Sequence, residues 1–315
     1  MNIVFAEPIG ISEQEKLRFS TEMKALGHAV EFFNSPIESQ AELLTRISNA
    51  EITVISNYPV EVRTIELCKK LKMISVAFTG VDHLPLDYCK LRKITICNAA
   101  GYSTSAVAEL AIAMSINVLR RIVPLHDATI SGKTRNGFLG GELNGKVFGI
   151  VGLGAIGQRV AELASAFGCK VIAHSRTAKA IKNVEMVSLH TLFNTADIIS
   201  LHIPSNPQTI GLVNAELIEL MKANAILVNT ARGSVVDYAA LAQALKSNSI
   251  GGAAVDIYEY EPPIQPNHPL LSAPNVVLLP HIAYATTEAI DRRTEIVLKN
   301  IRDWINGCPQ NQVVS

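Results

Sequence analysis

Residues 145–161, GKVFGIVGLGAIGQRVA, constrain the fold more than any other part of the chain. Val147 to Val151 is short, apolar and β-favouring, which reads as a buried strand. Gly152, Gly154 and Gly157 follow it directly, and helical spacing sets in from Gln158. Strand, GxGxxG and helix in that order form the context in which the motif marks a dinucleotide site. Gly152 is expected to make the tight turn, Gly154 to let backbone amides approach a pyrophosphate, and Gly157 to let helix and strand pack closely. Unpaired N–H groups at the helix start, with its partial positive charge, suit the phosphates.

A chain of 315 residues is long enough for two domains, each with its own core. With 48% apolar and 18% charged residues it is not a disordered chain. Lys+Arg and Asp+Glu both number 28, a balance that argues against a polyanion partner such as nucleic acid. Cys68, Cys89, Cys97, Cys169 and Cys308 are scattered and form no CxxC pair. They read as buried free thiols in a reducing compartment, and no metal site is expected. The N-terminus runs straight into a strand, MNIVFAEP, and no apolar run reaches membrane-spanning length. A soluble cytoplasmic protein without a membrane partner is expected.

The first hundred residues alternate strand and helix. Strands are predicted at 3–6, 29–33, 52–56, 73–77 and 94–97, and helices at 13–26, 41–47 and 62–71. Leu17, Met23 and Leu26 are placed on one side of the first helix, which Gly27 ends. Such alternation means crossovers and a parallel sheet, and five units of this kind resemble a flavodoxin-like domain. Ligands of these sheets sit beyond the carboxyl ends of strands, so the loop Thr79-Gly80-Val81-Asp82 is well placed to face one.

A long helix is predicted from Ser103 or Thr104 to Pro124, apolar all round from Leu110 to Leu119 and therefore buried. A second helical stretch and a glycine-rich segment at 132–141 follow. After the glycine motif, strands are predicted at 170–174, 198–203, 225–229, 252–256 and 276–279, with helices at 217–221 and 238–245. The result is an α/β chain with a Rossmann-type doubly wound parallel sheet of about six strands. The closing helix, 286–305, has no sheet partner left and is expected to return to the first domain. The expected domains are a substrate-binding domain, 1–98 with 287–315, and a dinucleotide-binding domain, 99–286.

A cofactor lacking a 2′-phosphate usually meets an Asp or Glu about twenty residues past the glycines. Here the strand end reads VIAHSRT, with Ser175 at that position and Arg176 after it. A hydroxyl and a guanidinium suit a 2′-phosphate, so NADP(H) is favoured over NAD(H). The other reading leaves Arg176 in solvent while NAD binds through backbone contacts.

Three polar residues stand where later strands give way to loops: Arg232 in AILVNTARGSVVD, Glu261 in GGAAVDIYEYEPP and His281 in VVLLPHIAYAT. Each alone has an ordinary reading, as a surface ion pair, a solvated loop charge and a strand-end histidine bonded to backbone. Taken with TGVD at 79–82, GYSTSAVAEL at 101–110, GLGAIG at 152–157, NTARGSVVD at 229–237, AVDIYEYEP at 254–262 and PHIA at 280–283, they carry a resemblance. Over essentially its whole length the chain resembles the D-isomer-specific 2-hydroxyacid dehydrogenases.

That resemblance implies a cleft between the two domains and an Arg–Glu–His site. Reduction of a 2-keto acid places a hydride on C2 and develops negative charge on the carbonyl oxygen. A protonated His281 would bond that oxygen and donate the proton. Glu261 would orient the imidazole and raise its pKa, and Arg232 would hold the substrate carboxylate. The resemblance also gives Gly80 and Val81 a grip on that carboxylate, and Asp256 the task of orienting the nicotinamide amide. It places Thr104, Ala155, Ile156, His202, Pro204, Thr230 and Ala231 at the other cofactor positions. His202 has an ordinary reading too, as a strand-end residue bonded to backbone.

The GYST segment resembles glycerate dehydrogenases and hydroxypyruvate or glyoxylate reductases more than D-lactate dehydrogenases. A phosphorylated substrate would want a basic cluster, for which His83 and KLRK at 90–93 are the local candidates, and KLRK reads as a solvated turn. A small unphosphorylated 2-keto acid is therefore expected. Only 307–315 follow the closing helix, so feedback through a regulatory domain is not expected. The alternatives are a phosphoglycerate dehydrogenase lacking that domain and a nucleotide-sensing, corepressor-like binding protein. The resemblance further implies a homodimer, and domain closure with hinges near Ala99 and Tyr284.

Overall fold

The computed structural model describes residues 1–177, 181–260 and 263–314. In chain order the first elements are β1 (Asn2–Phe5), α1 (Glu13–Ala25), β2 (Ala29–Phe32), α2 (Gln40–Ile47), β3 (Ile52–Ile55), α3 (Val62–Leu67), β4 (Met73–Val76), α4 (Leu86–Leu91) and β5 (Thr95–Cys97). Then come α5 (Thr104–Arg120), α6 (Ile122–Ile130), β6 (Val147–Val151), α7 (Ala155–Ala166), β7 (Lys170–His174), β8 (Val184–Met186), α8 (Leu189–Thr195) and β9 (Ile198–Leu201). The remainder is α9 (Ala215–Glu219), β10 (Ile226–Asn229), α10 (Tyr238–Lys246), β11 (Gly252–Val255), β12 (Val276–Leu278), α11 (Thr287–Ile305) and β13 (Gln312–Val314). They divide into two units, Met1–Ser103 with Ala285–Ser315, and Thr104–Tyr284.

In the first unit five parallel strands run in the order β5-β4-β3-β1-β2, the doubly wound arrangement whose direction reverses between β1 and β3. Every residue of β3 and β4 is buried, as parallel strands covered on both faces require. Strand β13 joins β5 in the antiparallel sense, a pairing with no signal in the tail sequence. Helix α11 is tied into this unit: Arg293 donates to Ile9 O at 2.7 Å, Asn300 to Asn98 O at 2.9 Å, and Arg302 pairs with both carboxylate oxygens of Glu22 at 2.7 Å.

Two local expectations are corrected in this unit. Helix α1 buries Phe19 and Met23, whereas Leu17 and Leu26 are 70% and 58% exposed. Nine positions apart, those leucines lie on opposite sides of the helix, and the face that meets the sheet is the i, i+4 pair Phe19 and Met23. Helix α3 stops at Leu67 rather than Leu71. KLRK is largely the solvated turn expected, with Lys90, Leu91 and Lys93 exposed and the turn at Arg92 and Lys93. Lys90 and Leu91 end α4, while Arg92 donates to Ile65 O and Cys68 O at the carboxyl end of α3, where carbonyls lack helical partners.

In the second unit seven strands are all parallel, in the order β12-β11-β10-β9-β6-β7-β8, with the reversal between β9 and β6. The strand β8 was not legible in its three-residue sequence. Helix α5 packs Ala108, Ala111, Ile112, Met114 and Val118 into one core with Phe148, Ile150, Val160 and Ala164. It ends at Arg120, not at Pro124. Arg121 turns the chain with φ +48°, and Pro124 sits in the first turn of α6, where its missing N–H costs no helical bond. Helix α6 buries none of its residues: Ile122, Val123 and Ile130 are exposed, as is Leu139 in the glycine-rich segment beyond it.

Cys68, Cys89, Cys97 and Cys169 are buried, and Cys308, contrary to expectation, is exposed. Burial pushes the thiols of Cys68, Cys89 and Cys97 up to about 11, which makes them poor nucleophiles. No helix among the described residues is long and apolar enough to cross a membrane.

Candidate active site

The carboxyl edge of the second sheet carries most of the residues singled out above. Along it His281 follows β12, Asp256 follows β11, Thr230, Ala231 and Arg232 follow β10, His202 and Pro204 follow β9, Gly152 follows β6, and Ser175 and Arg176 follow β7. Neighbouring strands lie about 4.8 Å apart, so Arg232, Asp256 and His281 share three adjacent exits.

The glycine turn has the shape that a dinucleotide demands. Gly152 lies at φ +101°, and a Cβ there would stand 2.5 Å from His202 O across the reversal of the sheet. A Cβ on Gly157 would stand 2.0 Å from Gly152 O, so only glycine lets α7 start this close to β6. Nothing lies within 4 Å of where a Cβ on Gly154 would be, which leaves the backbone open to approach. Gly154 caps α7 without a side-chain bond, and the amides of Ala155 and Ile156 belong to the first turn, where helical partners are lacking. Gln158, which the motif does not mark, holds the turn by donating to Leu153 O at 2.9 Å. Thr230 adds a buried Oγ1 that has no hydrogen-bond partner among the described residues. A cradle only glycine permits and an orphaned hydroxyl fit a bound dinucleotide.

At the far end of this edge Arg176 is exposed and its guanidinium donates to Gln208 Oε1 at 3.0 Å. Gln208 is in turn held at its backbone, whose N–H donates to Asn206 Oδ1 at 2.9 Å. In the middle, Ser200 Oγ lies 2.9 Å from His202 Nε2. Burial pushes the His202 imidazole down from 6.5 to about 4, so the ring is neutral at physiological pH. The unfolded chain binds a proton that the folded one resists, so this contribution to stability is full above pH 6.5 and is lost as pH falls toward 4. In thermal unfolding from about pH 7 to about pH 5, His202→Gln is expected to lose Tm less steeply than the wild type. Parallel curves would count against a neutral His202.

The three adjacent exits are held by a dense set of hydrogen bonds. Asn229, fully buried, accepts from Ala231 N at 2.9 Å and donates to Arg232 O at 3.0 Å, which shapes the turn that presents Arg232. Arg232 Nη1 donates to Ala231 O at 2.8 Å. His281 lies at φ +56°, a left-handed conformation that costs a non-glycine residue about 1–2 kcal/mol. Asp256, 1% exposed, offsets that cost. Its carbonyl accepts from His281 N, and its two carboxylate oxygens accept from Ile282 N and Ala283 N, each at 2.8 Å. Tyr284 stands edge-on to the imidazole at 5.4 Å, and Tyr258 donates to Leu279 O at 3.0 Å just before the loop. The resemblance gives Asp256 a role toward the cofactor only; the clamp on the His281 loop has no signal in sequence, because it joins residues 26 and 27 positions apart. Glu261 lies outside the described residues.

Gly80 and Val81 lie in the other unit, in the loop after β4, and Thr104 opens α5. That loop is pinned at both ends, by Asn98 Nδ2 donating to Thr79 O at 2.7 Å and by Leu84 N donating to Val81 O at 3.1 Å.

Residues 112–283 match the model of the D-isomer specific 2-hydroxyacid dehydrogenase, NAD binding domain. The chain is 36% identical over its whole length to D-3-phosphoglycerate dehydrogenase of Archaeoglobus fulgidus, and it spans only 59% of that relative's length. It is 39% identical to glyoxylate reductase of Thermococcus litoralis, across 84% of this chain and 83% of that protein. Its fold is similar to that of an acyclic imino acid reductase in complex with NADPH and D-Arg, with a TM-score of 0.91, 30% identity and full coverage of both chains. On the glycine cradle, the order of the sheet and these matches together, the chain belongs to the D-isomer-specific 2-hydroxyacid dehydrogenases.

Proposed function

We propose that this protein reduces a small 2-keto acid of the hydroxypyruvate or glyoxylate class to the D-2-hydroxy acid. The observation that carries the reading is the presentation of Arg232, Asp256 and His281 from adjacent strand ends, with His281 locked in a conformation it would not adopt unaided. NAD(P)H, when bound, supplies the hydride. Gly152, Gly154, Ala155, Ile156 and Gly157 are assigned to its phosphates, with Thr104, His202, Pro204, Thr230 and Ala231 as further contacts. Arg232 holds the substrate carboxylate through charge-assisted bonds, and the amides of Gly80 and Val81 are assigned the same partner. His281, as the imidazolium, donates its proton to the carbonyl oxygen while charge develops there. Glu261 is assigned the carboxylate that orients the ring, and Asp256 keeps the His281 backbone in place.

Ser175 and Arg176, with Gln208 steadying the guanidinium, favour NADPH over NADH. The similar imino acid reductase, solved with NADPH, points the same way. An unphosphorylated substrate fits the use of Arg92 on the α3 carbonyls, which takes that guanidinium out of any phosphate site. The exposed apolar residues of α6 and Leu139 suit burial against a second copy of the chain. Sedimentation at the mass of a dimer, lost in Ile130→Asp, supports that reading, and a monomeric wild type removes it.

The deciding experiment follows NAD(P)H absorbance with glyoxylate, hydroxypyruvate, pyruvate and 3-phosphohydroxypyruvate, each paired with NADH and NADPH. Turnover of hydroxypyruvate or glyoxylate, with the higher kcat/KM for NADPH, is expected. Preference for the phosphorylated acid would reassign the substrate. Tight cofactor binding with no turnover in any pair would favour a nucleotide sensor and overturn the enzyme.

A further inference from the structure

The loops that carry Arg232 and Glu261 come from different strands, and one side chain outside the family's motif residues joins them. Tyr238 opens α10, and its ring is buried to 1% exposure. Its hydroxyl accepts from Asn229 Nδ2 at 2.8 Å and donates to Ile257 O at 2.6 Å. Asn229 is the residue whose amide also holds Arg232 O and Ala231 N. Ile257 follows Asp256 and leads to Glu261. The two segments touch at the backbone as well: a Cβ on Gly233 would stand 2.0 Å from the carbonyl carbon of Tyr258 and 2.4 Å from Glu259 N. Nothing larger than glycine admits that approach, and the Tyr238 hydroxyl is a side-chain group that stitches it.

We infer that Tyr238 is a positioning residue for the reaction, acting through Asn229 to fix the Arg232 turn against the segment that leads to Glu261. The inference rests on the proposal that Arg232 holds the substrate carboxylate. A hydroxyl that both accepts and donates in a buried site sets a distance as well as a contact, because each bond fixes the direction of the other. Phenylalanine keeps the ring and its packing against Tyr258 and His268, whose centroids lie 6.4 and 5.3 Å away, and removes the hydroxyl that makes the stitch. Asn229 Nδ2 then keeps Arg232 O and loses its second acceptor, so the turn relaxes rather than unfolds.

The test is a double-mutant cycle on the full chain with hydroxypyruvate as the probe. Tyr238→Phe is expected to raise KM for the keto acid about tenfold, with kcat within about threefold and the cofactor Kd unchanged. In an Arg232→Gln background, which already lacks the carboxylate fork, the same substitution is expected to raise KM no further. A merely structural tyrosine would lower Tm in both backgrounds and leave KM where it was. That result, or an equal rise in KM in both backgrounds, overturns the role of Tyr238 while leaving Arg232 its own. Arg232→Gln with unaltered constants would overturn both, by removing the carboxylate contact itself. Should Tyr238→Phe be insoluble, Asn229→Asp replaces the donor to Arg232 O by a carboxylate oxygen at equal volume and carries the same expectation in both backgrounds.

Discussion

Replacing His281 by alanine is expected to lower kcat for keto-acid reduction by about 10²–10⁴-fold, the range that loss of a positioned proton donor produces. The imidazole is a side chain of a left-handed residue at a loop, not of the core, so the fold is expected to survive. His281→Asn is the sharper control, because asparagine tolerates positive φ and leaves the Asp256 bonds to the loop intact. Asn and Ala should therefore fail alike in turnover while the Asn variant keeps the wild-type Tm. Reduction consumes the imidazolium and oxidation the neutral ring. In the wild type kcat/KM for reduction should fall with rising pH as that for oxidation rises, and both slopes should flatten in the variants. Near-normal reduction by either variant would end the assignment of His281 as the acid.

Why the sequence reveals so much of this edge and so little of its support follows from how each is encoded. Gly157 is required by the carbonyl of Gly152 five residues before it, and Gly152 by its own positive φ at the turn after β6, so the motif is local and legible. Arg232 and His281 are legible for a related reason: each stands at the exit of an apolar run, where a polar side chain interrupts an obvious strand. Fold order was readable in the same way from alternation alone, which is why the parallel sheets were anticipated while β8 and β13 were not. A three-residue edge strand buries little and leaves almost no periodic signal. Pro124 misled because proline breaks a helix interior but is welcome in a first turn, and only the left-handed Arg121 reveals which of these applies. The face of α1 differs because Leu17 and Leu26, nine positions apart, lie on opposite sides of the helix, whereas Phe19 and Met23 at i and i+4 share the side that meets the sheet. Asp256 and Asn229 look like ordinary polar residues at strand ends. What they do depends on amides brought near by strand pairing, which the sequence does not write down in any one place.

The clamp at Asp256 has the second largest expected effect, and it separates loop geometry from cofactor contact. Asp256→Asn keeps the volume but offers one acceptor where the carboxylate offered two, and its NH2 then faces a backbone donor. Leaving one buried N–H unsatisfied costs about 1–3 kcal/mol, and the left-handed His281 loses part of what offsets its strain. Asp256→Ala leaves both amides of Ile282 and Ala283 without their acceptor, so its cost should be about twice that of Asn. Both variants are expected to lower Tm, and kcat is expected to fall about 10–100-fold in Asn and further in Ala, because a misaimed imidazole cannot meet the carbonyl oxygen. The discriminating readout is amide hydrogen exchange of the apoprotein at Ile282 and Ala283, which should lose protection in both variants with no cofactor present. If Asp256 served only the nicotinamide, exchange would stay slow, cofactor Kd would rise, and the combination with His281→Asn would be additive. If it serves the loop, Asp256→Asn should cost little further turnover once His281 is gone, since there is then no ring left to aim.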